Sequence, residues 1–89
     1  MIKIYSTNWC PSCIWAKRFL EDKNIKYKEI NIEEINMTRK DLQSLTGGNT
    51  VPQIVINGKS IGGYDNLLKL NNNGKLMKLI KEWNLYPIT

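Results

Sequence analysis

Cys10-Pro11-Ser12-Cys13 stands where an extended segment gives way to a helical one, and no other feature constrains the chain so tightly. Before it, Ile2-Lys3-Ile4-Tyr5 reads as a strand. After it, Ile14, Ala16, Phe19 and Leu20 recur at helical spacing, and Pro11 sits where a first helical turn tolerates proline. That order puts Cys10 at a helix N-terminus, where free N–H groups and the helix dipole favour thiolate over thiol. Cys10 and Cys13 are the chain's only cysteines. A disulfide across so short a gap closes a very small loop. It adds little through chain entropy and suits a bond that is repeatedly made and broken.

The first helix is predicted from Pro11 to Asp22, stopping near Asn24. Ile25 to Ile32 alternates apolar and polar residues and reads as a second strand. Asn36 or Thr38 can cap a second helix carrying Leu42 and Leu45, which Gly47-Gly48 ends. Val51 to Ile56 is a third strand. Asn57-Gly58 is a two-residue hairpin signal, so Lys59-Ser60-Ile61 returns antiparallel. Gly62-Gly63 breaks it, and Asp65 or Asn66 can cap a helix carrying Leu67, Leu68 and Leu70. Asn71 to Gly74 interrupts that helix. Leu76, Met77, Leu79, Ile80 and Trp83 complete it, and this C-terminal apolar stripe with Trp83 is expected in the core. The order is β-α-β-α-β-β-α. It predicts an α/β fold: a four-stranded mixed sheet with helices on both faces and a right-handed first crossover. No repeat or linker divides the chain, so residues 1–89 read as one domain.

With 89 residues, 42% of them hydrophobic, the chain can bury one modest core. Met1 to Tyr5 lacks the apolar run of a signal peptide, and no stretch is long enough to span a membrane. A cytoplasmic protein is therefore expected, and there a close cysteine pair favours transient redox or metal chemistry over a permanent bridge. The formal net charge is +5. The basic residues are dispersed and no nucleic-acid motif accompanies them, so anionic small molecules or acidic proteins fit better than nucleic acid. A closed zinc site needs four ligands. The chain has no histidine and no third cysteine, so no resident metal is expected.

The element order, with Cys10-Pro11-Ser12-Cys13 at the first strand–helix junction, resembles the thioredoxin fold. Two further motifs narrow the likeness. Thr50-Val51-Pro52 resembles the threonine-valine-proline segment of glutaredoxins, and Gly62-Gly63-Tyr64-Asp65 resembles their glycine-glycine-x-aspartate segment at the expected distance. The resemblance covers nearly the whole chain, and three motifs in this order make it specific.

That resemblance implies roles for matching residues. Cys10 is the nucleophile and Cys13 the resolving thiol. Pro52 is a cis-proline facing the cysteines. Glutathione lies along the Val51 backbone, flanked by Ser12 and Thr50. Its γ-glutamyl group meets Gly63, Tyr64 and Asp65, and its glycyl carboxylate meets Arg39. Three positions depart from the family pattern: Thr7 and Ser12 replace a common lysine and tyrosine, and Asn49 replaces an arginine of some members. Trp9 resembles thioredoxins and mycoredoxins. Lys17, two turns beyond Cys10, is too far for direct contact with it. Trp15 is either partly buried packing or a contact for protein substrates.

The implied activity is glutathione-dependent thiol-disulfide exchange, an electron-transport role in cell redox homeostasis. The implied partners are glutathione and disulfide-containing or glutathionylated proteins, ribonucleotide reductase among them, acting on a monomer. Two alternatives remain open on sequence alone. One is a thioredoxin-like hydrogen donor reduced by a flavoprotein reductase. The other is a glutathione-dependent iron-sulfur carrier.

Overall fold

A computed structural model describes the backbone of residues 1–84 and the side chains of residues 1–80. The elements run β1 (Ile2–Ser6), α1 (Pro11–Asp22), β2 (Lys28–Asn31), α2 (Arg39–Thr46), β3 (Gln53–Ile56), β4 (Lys59–Gly62), α3 (Tyr64–Asn72) and α4 (Lys75–Asn84). The strands lie in the order β2-β1-β3-β4. β1 pairs parallel with β2, while β3 is antiparallel to both β1 and β4.

Alternation along the strands splits the core in two. Ile2 and Ile4 of β1 join Ile54 and Ile56 of β3, Ala16 and Leu20 of α1, Leu67 of α3 and Leu76 of α4. On the opposite face, Tyr5 and Ile32 meet Leu42 of α2, with Val51 and Val55 against them. Helices therefore cover both faces, as the apolar pattern predicts. None of the described helices is long and apolar enough to cross a membrane.

The structure corrects several local expectations. The second strand starts at Lys28 rather than Ile25. Asn24 turns the chain with φ 58°, and the Ile25 N–H then bonds to the Leu20 carbonyl at 2.9 Å. That amide closes the end of α1 and is lost to the sheet. Ile25 and Tyr27 instead lean on the α1-side core. Neither Asp65 nor Asn66 caps α3: the N-cap is Gly63, with no side-chain bond, and Asp65 lies in the first turn. The Asn66 amide reaches back to the Ile61 carbonyl at 2.9 Å. Of the two caps offered for α2, Thr38 is the one used, in a reciprocal capping box with Asp41. The interrupted last helix is two helices, divided at Asn73 and at Gly74, whose φ is 78°. Of the C-terminal stripe expected in the core, Leu76 is buried and Leu79 and Ile80 pack against the α1-side core, but Met77 falls off that helix face and is exposed; the side chain of Trp83 lies outside the described residues.

Strand directions determine where the functional loops meet. β1 and β4 run toward one edge of the sheet, and β3 runs away from it. The Thr7–Cys10 loop, the Asn49–Pro52 loop and Gly63 therefore gather at that edge.

Candidate active site

Cys10 is the N-cap of α1 and Pro11 its first residue. An N-cap side chain must accept a hydrogen bond from the first turn, a task Ser, Thr, Asp or Asn usually performs. Here the acceptor is sulfur: the Cys13 N–H points at Cys10 Sγ, 3.0 Å away. The two cysteines form a disulfide, with Cα atoms 5.2 Å apart. Cys10 is 7% exposed and Cys13 only 1%. An incoming sulfur therefore meets Cys10 first.

The other two loops complete the edge. The Val51–Pro52 bond is cis. Pro52 is buried, Val51 is half-buried against the α2-side core, and Thr50 is exposed. A Cβ added at Gly63 would lie 3.4 Å from the Pro52 carbonyl oxygen, so α3 begins in contact with this loop. Tyr64 opens α3, and Asp65 projects from its first turn as an exposed carboxylate. Arg39, at the start of α2, donates from Nη1 to the Asn49 carbonyl at 3.0 Å, which ties α2 to the loop leading into Thr50. Ser12 sits half-buried in the first turn of α1. The topology thus brings Ser12, Thr50, Val51, Pro52, Gly63, Tyr64 and Asp65 to the edge that carries Cys10, with Arg39 at the border of the Asn49–Pro52 loop.

Sequence reasoning missed three supports of this edge. Gln53 is 5% exposed, and its amide donates to the Thr50 carbonyl at 2.9 Å. A polar residue inside an otherwise apolar strand was its only signal. The Trp15 and Tyr64 rings meet with centroids 6.0 Å apart, joining α1 to the start of α3. Trp15 is still 53% exposed and Trp9 is 90% exposed, so an aromatic surface borders the disulfide. The third support is polar. Ser6 Oγ and Lys17 Nζ both donate to Glu29 Oε2, at 2.7 and 2.8 Å. Lys17 is thus ion-paired across to β2 rather than turned to the cysteines.

The hydrogen bond from Lys17, with a second from Ser6, holds the Glu29 carboxyl below its ordinary value against the opposing effect of burial. A carboxylate whose folded value is depressed stabilises the fold above the unfolded value, about 4.3, and loses that contribution as pH falls through the folded one. Glu29→Gln should therefore be less stable than the parent at pH 7, with the gap narrowing below about pH 4. Urea unfolding at pH 7 and pH 3 measures it; an equal gap at both would assign the loss to packing instead.

A family model, Glutaredoxin, matches residues 2–61. The chain is 40% identical over 79 residues to a glutaredoxin of Pseudomonas aeruginosa, covering 89% of this chain and 94% of that one. The chain belongs to the glutaredoxin family. It is also 38% identical over 84 residues to Glutaredoxin-C6 of rice, covering 91% of this chain and 75% of the relative. Among solved structures, a buckwheat glutaredoxin–glutathione complex superposes with a TM-score of 0.82 at 27% identity, covering 91% of this chain and 76% of that one. Oxidised glutaredoxin 2 of Chlamydomonas reinhardtii gives 0.77 at 35% identity, covering 91% and 79%. The open four-stranded sheet is thioredoxin-like, and as a glutaredoxin the protein is a thiol-disulfide oxidoreductase with Cys10 and Cys13 as its redox pair.

Proposed function

We propose that this glutaredoxin uses glutathione as its reductant and acts on glutathionylated proteins and protein disulfides. The observation that carries the reading is Cys10 Sγ at the α1 N-terminus, 3.0 Å from the Cys13 N–H, on the edge that also holds the Val51–Pro52 loop and the α3 N-terminus. Cys10 thiolate attacks the sulfur of a substrate disulfide, forming a mixed disulfide and expelling the second sulfur as thiolate. With a protein disulfide, Cys13 attacks Cys10 next, releasing the reduced substrate and leaving Cys10–Cys13 oxidised. With a glutathionylated protein, Cys10 takes the glutathionyl group and a second glutathione removes it.

Glutathione is a peptide with a carboxylate at each end and an amino group at the γ-glutamyl end. An extended peptide can bond to the Val51 backbone as an added strand. The free N–H groups that begin α3 suit the γ-glutamyl carboxylate, and the Asp65 carboxylate suits its amino group. The glutathione complex of the buckwheat relative supports the same reading. Arg39 is the cation assigned to the glycyl carboxylate, a contact that matters more with threonine at position 7. The protein is proposed to act as a monomer in the cytoplasm, with the aromatic surface of Trp9 and Trp15 meeting protein substrates.

The deciding assay couples turnover to NADPH through either glutathione with glutathione reductase or thioredoxin reductase. Turnover is expected only with glutathione. Turnover only with the flavoprotein reductase would make the protein a thioredoxin-like hydrogen donor instead. Asp65→Ala should raise KM for a glutathionylated peptide about tenfold, the loss of one exposed charge-assisted bond, with kcat nearly unchanged. A fall in kcat at constant KM would remove Asp65 from substrate binding.

A further inference from the structure

The pole of the molecule opposite Cys10 carries a groove that disulfide exchange does not use. It holds about 530 Å³ between the start of β1, the turn after α1, the end of β3, and α4. Five-residue β1 separates this pole from the cysteine loop, a span of roughly 17 Å. Ile2, Ile25, Ile56 and Ile80 form an apolar floor. Met1 and Met77 border it and are 57% and 46% exposed.

The described charged residues lining the groove are all cationic: Lys23, Lys26 and Lys28 lie along it, and none of its described lining residues is Asp or Glu. The Met1 nitrogen donates to Asn57 Oδ1 at 2.6 Å, and the Lys23 ammonium lies 5.3 Å over the Phe19 ring. None of these three lysines is ion-paired with a carboxylate among the described residues, whereas Lys17 is, through Glu29. Glu21 stands nearby and accepts from the Tyr27 hydroxyl at 3.0 Å.

An apolar trough beside unneutralised cations is complementary to an alkyl chain that ends in an anion. A peptide fits less well, because its backbone N–H and C=O groups would need partners over the floor. Asn57 is already engaged at both ends of its amide, by Met1 and by the Leu79 carbonyl. We infer that this groove binds a single-chain aliphatic carboxylate of about ten carbons, its tail on the isoleucine floor and its head toward Lys26 and Lys28. The size is bounded by volume: at roughly 30 Å³ per methylene, taken as a water's share of liquid, ten carbons take up a little over half of the groove and leave room for the head group.

Methyl NMR of the full chain, titrated with decanoate below its micelle concentration, tests the inference. Saturable shifts are expected at Ile2, Ile25, Ile56 and Met77, with none at Ile14 beside the cysteines. Decanol and decyltrimethylammonium should bind at least about tenfold more weakly, because they lack the anion. The double substitution Lys26→Glu and Lys28→Glu should weaken decanoate binding by about tenfold or more. Met77→Glu, at an exposed position, should do the same, and both variants should keep disulfide exchange. Absence of saturable shifts up to millimolar decanoate would overturn the inference. So would equal binding of the cationic analogue, or nuclear Overhauser contacts in the free protein between residues 85–89 and Ile25, which would show the groove filled by its own chain.

Discussion

Replacing Cys10 with serine is expected to abolish exchange with protein disulfides and with glutathione mixed disulfides alike. Cys13→Ser should remove only the first. The difference follows from where the sulfurs sit. Cys10 Sγ is the acceptor for the Cys13 N–H at the start of α1, so a negative charge on it is met by a donor and by the helix dipole. Such settings bring thiols from about 8.5 down to roughly 3.5–7.5. A serine hydroxyl placed there stays protonated near neutral pH and has no disulfide chemistry. Cys13 lies one turn in and is 1% exposed, which lets it reach the bond that Cys10 forms but not meet an external disulfide. Without Cys13, a mixed disulfide with a protein waits for an outside thiol, whereas the glutathionyl group is still removed by a second glutathione. Initial rates on a glutathionylated peptide and on a disulfide-bonded protein separate the cases. If both substitutions cost equally on both substrates, the division of labour between the sulfurs is wrong.

Ile54→Ala carries the largest expected loss of stability away from the cysteines, about 2–5 kcal/mol. Ile54 is fully buried, with 0% exposure. It pairs with Ile4 on β1 and Gly62 on β4, so its side chain sits in the middle of the α1-side core. Truncation removes apolar contacts and leaves a void that the flanking strands can close only by breaking register. Small domains have about 0.05–0.15 kcal/mol of net stability per residue, so the whole fold has on the order of 4–13 kcal/mol to lose. The urea midpoint should fall with little change in slope, and the melting temperature should drop by roughly 4–8 °C per kcal/mol. A loss below about 1 kcal/mol would mean that this core repacks around small residues far more readily than ordinary interiors do.

Some features of the chain were legible because neighbours a few residues apart encode them. Asn57-Gly58 demands two positive φ angles and has them, at 53° and 84°. Pro11 after Cys10 places the helix start to the residue. Thr38 was one of the two caps offered for α2, and it is the one used. Val51 to Ile56 was assigned as a strand, although the ladder begins only at Gln53. Failures came where a local signal had a distant competitor. Ile25 and Tyr27 carry strand-like alternation, but the Ile25 amide is taken by Leu20 to finish α1. Asp65 and Asn66 are good capping residues, yet Gly63 takes the cap, with α3 starting in contact with the Pro52 carbonyl.

The order of elements and the reactive sulfur at a helix tip were readable from one-dimensional spacing, because each rests on contacts within a turn or a hairpin; the family likeness rested on the resemblance of three motifs. Folding in three dimensions decided the rest: that Lys17 spends its charge on Glu29, that Trp15 braces Tyr64, and that a cationic apolar groove opens at the far pole. Those pairings join residues on different elements. They depend on strand order and helix placement, which periodicity along a single segment does not specify.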